Sequence, residues 1–212
     1  GKEKSLGGLG EKKKMKKQNN TKTKIRCPWV GEDERMQVYH DTVWGRPTKD
    51  DTAIFKAIVL DTNQAGLSWK CILHKEKNFE KAYARFDAKK IARFGDKDIA
   101  RLMNDAGIIR NRLKVHGTIQ NAKKFLEIQK EFGTFSKYIW QFSDGKSIIK
   151  KPRTRGDFKS TSKESDAMSK DLKKRGFIFV GSTICYAFMQ GIGMIVEHSK
   201  DCWLGKNKRA ES

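Results

Sequence analysis

Prolines, cysteines and long apolar runs are all scarce in this sequence of 212 residues. Three prolines, at positions 28, 47 and 152, leave long stretches in which a helix can run without interruption. Four scattered cysteines are too few for a disulfide scaffold, so we expect reduced thiols or a metal site, and a cytoplasmic location. No run approaches the roughly 18 apolar residues of a membrane-spanning helix, and the N-terminal stretch lacks the apolar segment of a signal peptide. We therefore expect one compact protein without membrane partners.

Acidic residues are too few to balance the basic ones, and the net charge is +21. Residues 1–26 hold ten basic residues and two acidic ones, which leaves +13 for residues 27–212. Such an excess of positive charge attracts polyanions by Coulomb steering and counterion release. A solubilising surface would have the same composition, so charge alone leaves nucleic-acid binding and solubility equally open.

The two ends of the chain are poor in apolar side chains. Residues 1–24 are mainly Gly, Lys, Asn and Thr, and we predict a disordered basic tail because so little apolar surface cannot offset the entropy of ordering. Met15 would make an ordinary native start, so residues 1–14 can be interpreted as an addition to the natural chain. Residues 205–212 are predicted to form a second disordered tail, and residues 25–204 the folded unit.

Apolar residues in the folded unit recur at helical spacing, whereas the alternation typical of strands is absent. Thr48-x-x-Asp51 resembles a capping box at the start of one helix, and Thr161-x-x-Glu164 predicts another that ends at Gly176. Two further helices are predicted from apolar stripes, formed by Val115, Ile119, Ala122 and Leu126 and by Ile184, Phe188, Ile192 and Ile195. We predict an all-α protein without internal repeats, with a long surface loop from Ser143 to Lys163.

Two Cys/His pairs lie near opposite ends of the folded unit. Cys27 precedes His40 by 13 positions, and His198-x-x-x-Cys202 lies near the other end. Two thiolates and two imidazoles are a common ligand set for structural zinc, and it would join the terminal segments. The spacing alone also fits buried cysteines and ordinary histidines. Cys71 and Cys185 have no histidine at such spacing, and we assign them to packing.

A glycine-bounded turn between two helices is predicted in the segment Leu172–Ile184. One helix ends at Gly176 and the next begins around Gly181-Ser182-Thr183, with five or six residues between them. Glycine permits close approach of a backbone, and the free N–H groups at a helix start can bind a phosphate. The neighbouring cations are Lys173, Lys174 and Arg175. This pattern is typical of a helix-hairpin-helix, although a plain helical corner uses the same glycines.

Aromatic residues concentrate in two places, around Trp29, Tyr39 and Trp44 and at the end of the segment from Leu60 to Trp69. The second segment also contains an acid, Asp61. Flat apolar walls and one acceptor suit a purine that has been flipped out of a duplex, and a cationic methylpurine gains further from a π face. Each ring taken singly fits a core position equally well.

At this point the residues resemble a known family, the 3-methyladenine DNA glycosylases of type I. The resemblance rests on Arg26-Cys-Pro-Trp-Val30, Tyr39-His-Asp-x-x-Trp-Gly45, Gln64-Ala-Gly-Leu-Ser-Trp69, Asp105-Ala-Gly-Ile-Ile-Arg110, Lys173-Lys-Arg-Gly-Phe-x-Phe-Val-Gly181 and Cys185-Tyr-x-Phe-Met-Gln190. These blocks run in order from residue 26 and, with Cys202, cover everything but the tails.

The resemblance implies a helix-hairpin-helix glycosylase of two closely packed helical lobes, a bacterial-type cytoplasmic enzyme that associates with the nucleoid when it acts. It implies structural zinc on Cys27, His40, His198 and Cys202. Tyr39 and Trp69 should contact the flipped base, and Trp29 should line the pocket. The turn Ala65-Gly66-Leu67 should enter the duplex, with Leu67 as an apolar wedge, and the hairpin from Lys173 to Thr183 should bind the lesion strand.

One residue departs from the family, because Asp61 stands where the family has Glu. Its side chain is one methylene shorter, so rate or base specificity is open to change. The expected reaction is hydrolysis of the N-glycosidic bond of N3-methyladenine, with Asp61 as base-contacting catalytic carboxylate, water as nucleophile and no lysine placed to form a Schiff base. The partners would be alkylated duplex DNA and the free base, and the chain a monomer.

Two other interpretations stay open. A lesion-binding protein could keep the fold and lose excision together with the family Glu. A non-enzymatic structural zinc protein would explain the charge but not the aromatic cluster. Acceptance of N3-methylguanine is not decided by the sequence.

Overall fold

The computed structural model describes residues 24–205. The predictions for the two tails therefore lie outside the described residues, apart from Lys24 and Gly205. The described range contains nine α-helices and two short strands: α1 (Glu34–Thr42), α2 (Asp51–Gln64), α3 (Trp69–Ala82), α4 (Ala88–Ile91), α5 (Asp96–Met103), α6 (Arg112–Phe132), α7 (Phe135–Ile139), β1 (Ile148–Ile149), α8 (Lys163–Lys174), α9 (Ser182–Gly191) and β2 (Ile195–Val196). It also contains three short 3₁₀ turns, at Ala84–Phe86, Trp140–Ser143 and Arg155–Asp157. No helix within residues 24–205 is long and apolar enough to cross a membrane.

Helix α2 is the central element, because it packs against α3, α6 and α9. Its N-cap is Asp50, whose carboxylate accepts from Ala53 N at 2.7 Å. The predicted capping role of Thr48 is therefore wrong; Thr48 lies two residues before the cap, and its hydroxyl accepts from the backbone N–H of the cap residue, Asp50. The carboxylate of Asp51 accepts from the backbone N–H groups of Phe135 and Ser136 at 2.8 Å, and so ties the start of α2 to α7.

Helix α6 confirms the predicted stripe of apolar residues except at Leu126, which is only partly buried, whereas its neighbour Phe125 is buried. Val115, Ile119 and Ala122 are buried, and α6 is followed by Gly133, whose φ of +83° favours glycine. One face of this helix therefore contributes to the hydrophobic core shared by most of the chain.

Helices α8 and α9 form the predicted hairpin with small differences. Ser162, not Thr161, caps α8 by accepting from Ser165 N. The connection comprises residues 175–181, slightly longer than predicted, and Gly176 adopts φ of +87°.

The prediction that the last helix continues through Ile192 and Ile195 is wrong. Helix α9 ends at Gly191, and Ile195 lies in β2, which pairs in parallel with β1 through Ile148 and Ile195. Two-residue strands are too short to produce an alternating pattern, which explains why the sequence did not predict them. The fold remains dominated by helices, with the predicted loop containing β1 and a 3₁₀ turn at Arg155–Asp157.

Candidate active site and metal centre

The structure brings together the four predicted zinc ligands, Cys27, His40, His198 and Cys202. All four are buried, and their candidate ligand atoms lie within 4.8 Å of one another. Cys27 Sγ lies 3.7 Å from His198 Nδ1. Cys202 Sγ lies 3.5 Å from His40 Nε2 and 3.8 Å from His198 Nδ1. Residues 171 positions apart in sequence thus meet in one cluster.

The dimensions of this cluster fit a tetrahedral metal. Bond lengths of about 2.3 Å to sulfur and about 2.1 Å to nitrogen place neighbouring S and N ligand atoms about 3.6 Å apart in a tetrahedral zinc site. The three sulfur–nitrogen distances above bracket that value. The donor set therefore suits zinc both in chemistry and in size.

Groups behind the cluster hold its ligands in place. His40 Nδ1 lies 2.9 Å from Asp41 Oδ1, and Arg26 donates two hydrogen bonds to the same carboxylate. Partial burial opposes ionisation of Asp41, but hydrogen bonds from Arg26, His40 and Trp203 hold its pKa well below the ordinary value. A carboxylate behind a histidine ligand fixes the ring and raises its basicity.

Neighbouring groups favour the thiolate form of Cys202. Interaction with Cys27, together with hydrogen bonds to the two imidazoles, lowers the pKa of Cys202 and favours its thiolate. Ser199 N also donates to Cys27 Sγ at 3.3 Å. By contrast, Cys185 lies outside the cluster, and burial raises its pKa to about 12, in agreement with a packing role. Cys71 is half-buried and is not part of the cluster either.

Next to this cluster is a cavity of about 330 Å³ with aromatic walls. Trp29 and Trp44 meet edge to face with centroids 4.9 Å apart, and the rings of Tyr39 and Trp69 are 5.1 Å apart. The lining residues are Pro28, Trp29, Tyr39, Trp44, Asp61, Gln64, Trp69, Arg155, Phe158, Lys159, Ala187 and Gln190. The structure thus places all four predicted base-contacting residues in one cavity.

Asp61 lies on α2 and is 4% exposed. No hydrogen bond to its carboxylate is made by residues 24–205, and burial raises its pKa well above the ordinary value. Burial also raises the pKa of Tyr39, with a further contribution from the Asp61 charge. Asp61 also lines a second cavity of about 750 Å³.

The walls of the cavity contain two unpaired donors and a glycine. The indole N–H groups of Trp29 and Trp69 are buried and have no acceptor among the described residues. Gly191 forms part of the surroundings, since a Cβ there would lie 3.5 Å from Tyr39 Oη and 3.8 Å from Asp61 Oδ2. Unpaired buried donors are costly, so an acceptor that reaches them when a ligand binds would stabilise the site.

The loop between β1 and α8 contributes residues that sequence reasoning missed. Arg155, Phe158 and Lys159 line the cavity, although they lie about a hundred positions from Asp61 in sequence. Lys159 lines the cavity with an exposed side chain, and the prediction that no lysine forms a Schiff base stays a prediction. No local pattern in the sequence indicates where such a loop folds back.

The turn Ala65-Gly66-Leu67 follows α2 and is exposed at its tip. Leu67 is 40% exposed, and Gly66 adopts φ of +76°. A buried lysine holds this turn from behind: Lys114 Nζ donates to Asn63 O and Ala65 O, both at 2.7 Å. Burial lowers the pKa of Lys114. Sequence reasoning missed Lys114, because a lysine on an amphipathic helix is ordinarily exposed.

The connection between α8 and α9 is held against α6. Asn121 donates to Ile178 O at 3.0 Å and accepts from Ile178 N at 2.8 Å. Helix α9 has no side-chain cap, and a Cβ at Gly181 would meet nothing within 4 Å. The N-terminal end of α9 is thus open to an approaching group.

The predicted DNA-binding side chains of the hairpin differ in availability. Lys173, Lys174 and Thr183 are exposed. Arg175 is paired with Glu131 at 2.7 Å and with Asp171 at 2.9 Å, and Ser182 donates to Asp166. Contacts of Arg175 and of the Ser182 hydroxyl with DNA stay predictions that require these pairs to open.

An aromatic cavity containing an acid, beside a helix-hairpin-helix on a basic protein, is the arrangement of a DNA glycosylase that encloses a flipped base. The family model for methyladenine glycosylases matches residues 29–205. The DNA-3-methyladenine glycosylase of Haemophilus influenzae is 42% identical over 177 residues, covering 84% of this chain and 96% of that protein. The chain therefore belongs to the methyladenine glycosylase family.

Solved structures of similar fold support the same family assignment. A crystal structure of a 3-methyladenine DNA glycosylase I has a TM-score of 0.82 at 39% identity, covering 84% of this chain and 98% of that one. A tyrosine-to-phenylalanine variant of a 3-methyladenine DNA glycosylase I, solved in complex with 3-methyladenine, has a TM-score of 0.82 at 33% identity, covering 86% and 98%. The chain is thus an enzyme of this family, which hydrolyses N-glycosidic bonds.

Proposed function

We propose that this protein removes N3-methyladenine from duplex DNA by binding the flipped base in the cavity beside Asp61. The observation that carries the proposal is the cavity itself, with aromatic walls, a buried carboxylate and two unpaired indole donors. A related glycosylase with 3-methyladenine bound supports the choice of base. The products are the free base and an abasic strand.

Asp61 and the lesion have complementary charges. A base methylated at N3 is cationic while it is attached to the sugar, and Asp61 is held in surroundings that oppose an isolated negative charge. Entry of the cation stabilises the carboxylate, so the site favours a charged base over a neutral one. Faces of Tyr39 and Trp69 add further attraction for the cation.

Cleavage then demands little proton transfer, because the cationic base is already a good leaving group. The C1′–N bond breaks toward an oxocarbenium-like sugar, which the DNA phosphates stabilise, and water attacks C1′. Lys159 takes no covalent part in this scheme. The enzyme contributes by extracting the base, orienting it and excluding undamaged bases.

Binding of the duplex uses the exposed turn and the hairpin. Leu67 is the apolar wedge that fills the space left by the flipped base. Flipping the base loses a few kcal/mol of stacking, and contact of the wedge with the neighbouring bases offsets that loss. Ala65 and Gly66 present it, and Lys114 fixes the turn. The open N-terminus of α9, with Gly176, Gly181, Lys173 and Lys174 nearby, binds the backbone of the lesion strand.

One zinc ion bound by Cys27, His40, His198 and Cys202 supplies folding free energy rather than chemistry. Trp29 lies two residues after Cys27, and Tyr39 immediately precedes His40. The ligand cluster therefore fixes two walls of the cavity by tying the N-terminal segment to the chain after β2.

Free 3-methyladenine provides a direct test of the cavity. Because Trp29, Trp44 and Trp69 line it, the base is expected to quench tryptophan fluorescence in a saturable manner. Trp69→Ala, which removes one wall, should weaken binding, and Trp140→Phe, outside the cavity, is the control for the signal. Absence of a saturable change would contradict this assignment of the cavity.

The shorter acid leaves a second candidate, a lesion-binding protein with impaired excision. It is favoured by one observation, the second cavity that Asp61 lines, because a shorter acid beside open space can leave the base less firmly held. Single-turnover release of free base from alkylated DNA distinguishes enzyme from binder, since a binder retains the DNA without releasing base.

A further inference from the structure

Gln190 and Glu197 form a second polar group at the cavity, and the mechanism above does not use it. Gln190 lies in the last turn of α9 and lines the same cavity as Asp61. Glu197 follows β2 and is 1% exposed. The amide nitrogen of Gln190 donates to Oε2 of Glu197 at 2.7 Å. A buried carboxyl group thus holds an amide at the cavity wall.

A chain of donors determines which way this amide faces. Lys150 Nζ has only hydrogens to offer, and it donates to the hydroxyl oxygen of Tyr186 at 2.9 Å. The Tyr186 hydroxyl therefore gives its own hydrogen to Oε2 of Glu197, also at 2.9 Å. Oε2 is thus an acceptor, and it receives its other hydrogen bond from the amide nitrogen of Gln190. The network settles the orientation of an amide that could otherwise be turned over.

The amide oxygen and one amide hydrogen of Gln190 remain for a ligand. No donor among residues 24–205 hydrogen-bonds to Gln190 Oε1, and the residue lines the cavity. A carboxamide matches adenine, because its oxygen accepts from the N6 amino group while its nitrogen donates to N7. Guanine has a carbonyl oxygen in place of that amino group, which would face the amide oxygen with lone pairs on both sides.

Asp61 cannot make this distinction through charge. N3-methyladenine and N3-methylguanine are both cationic in DNA, so both are attracted to the carboxylate. The two bases differ at position 2, where only guanine carries an amino group, and at position 6, where adenine has an amino group and guanine a carbonyl oxygen. A hydrogen-bonding side chain of fixed orientation at position 6 can therefore separate them. Among the residues lining the cavity, Gln190 offers an acceptor of fixed orientation for that purpose.

We propose that Gln190, oriented by Glu197, contacts the N6 and N7 edge of the flipped base and favours N3-methyladenine over N3-methylguanine. This inference rests on the proposed function and adds a specificity-determining residue to it. Glu197 acts through Gln190 and is a positioning residue.

The test compares the release of the two bases from one substrate. Duplex DNA treated with dimethyl sulfate contains both lesions, and single-turnover rates of release are measured by chromatography of the free bases. Gln190→Met keeps the length of the side chain and removes its hydrogen-bonding groups, so the adenine-to-guanine rate ratio should fall about tenfold or more. Glu197→Gln, which allows the amide at 190 to turn over, should also lower the ratio. Gln141→Met, the same change at an exposed glutamine, should leave it unaltered.

The adenine-to-guanine rate ratio distinguishes a loss of specificity from a loss of stability. A merely structural role would lower the melting temperature and slow both bases equally, and metal content is checked because Glu197 precedes His198. An unchanged ratio in folded Gln190→Met with full metal content would overturn the inference even if Glu197→Gln failed to fold. Release of neither base by the wild-type protein would instead refute the proposed function.

Discussion

Replacing Asp61 by Asn is expected to change excision and stability in opposite directions. The amide has almost the same size as the acid, so the fold and the affinity for undamaged DNA should be retained. What is lost is the negative charge, which we propose attracts the cationic base. The consequences for catalysis and for folding can therefore be measured separately on one variant.

The expected loss of excision follows from Coulomb's law. Opposite unit charges about 4 Å apart attract by about 4 kcal/mol at an effective dielectric constant of about 20. If the transition state for base loss is stabilised by most of that attraction, Asp61→Asn should lower the single-turnover rate by about 10² to 10³-fold. The assay is release of 3-methyladenine from methylated duplex DNA with enzyme in excess.

The stability effect comes from the raised pKa of Asp61. A carboxyl group whose pKa is higher in the folded than in the unfolded state contributes stability in full below the unfolded value of 3.8, and that contribution is lost as pH rises through the folded value. Asn does not titrate. Urea unfolding should therefore find the variant increasingly more stable relative to wild type as pH is raised above 4.

Asp61→Glu is the matched control, because it keeps the charge and restores the length found in the family. Excision should be retained or raised, given the second cavity that Asp61 lines. An undiminished rate in Asp61→Asn would show that the carboxylate is a bystander and refute this reasoning.

Four further predictions concern other parts of the molecule. Elemental analysis should find one zinc per chain, and Cys202→Ala should lose it with a large drop in melting temperature; a folded, metal-free protein insensitive to chelator would contradict this. Lys114→Met leaves two carbonyl groups unpaired and should cost about 2 kcal/mol in the free energy of urea unfolding. Leu67→Ala should slow excision about tenfold or more while binding of lesion-free DNA is retained; equal rates would argue against a wedge. Affinity for lesion-free duplex should fall steeply with salt, and bulky residues at Gly176 and Gly181 should weaken it; a flat salt dependence would exclude phosphate contacts as its source.

Much of the site could be predicted because its residues lie in short, distinctive blocks. The pairing of Cys27 and His40 with His198 and Cys202 followed from ligand chemistry and from family resemblance, and the structure places the four side chains together. Helix α6 followed from periodicity alone, since its buried face is continuous.

The parts that could not be predicted depend on contacts between distant segments. Lys114 is a cation on a helical surface in the sequence, and only the fold shows that its ammonium group meets the end of α2. Gln190 and Glu197 lie seven positions apart, and no spacing rule links an acid after a two-residue strand to an amide in a helix. Phe158 and its neighbours reach the cavity because an irregular loop folds back, and irregular loops carry no period.

The most direct test of the account is the identity of the base released from methylated duplex DNA under single-turnover conditions. Wild-type protein with its metal bound should release free 3-methyladenine in proportion to the lesions present, while the DNA strand stays intact until alkali cleaves the abasic sites. Borohydride should trap no covalent complex through Lys159, since water is the nucleophile. Tight binding of the methylated duplex without release of 3-methyladenine would contradict the account and identify the protein as a lesion binder.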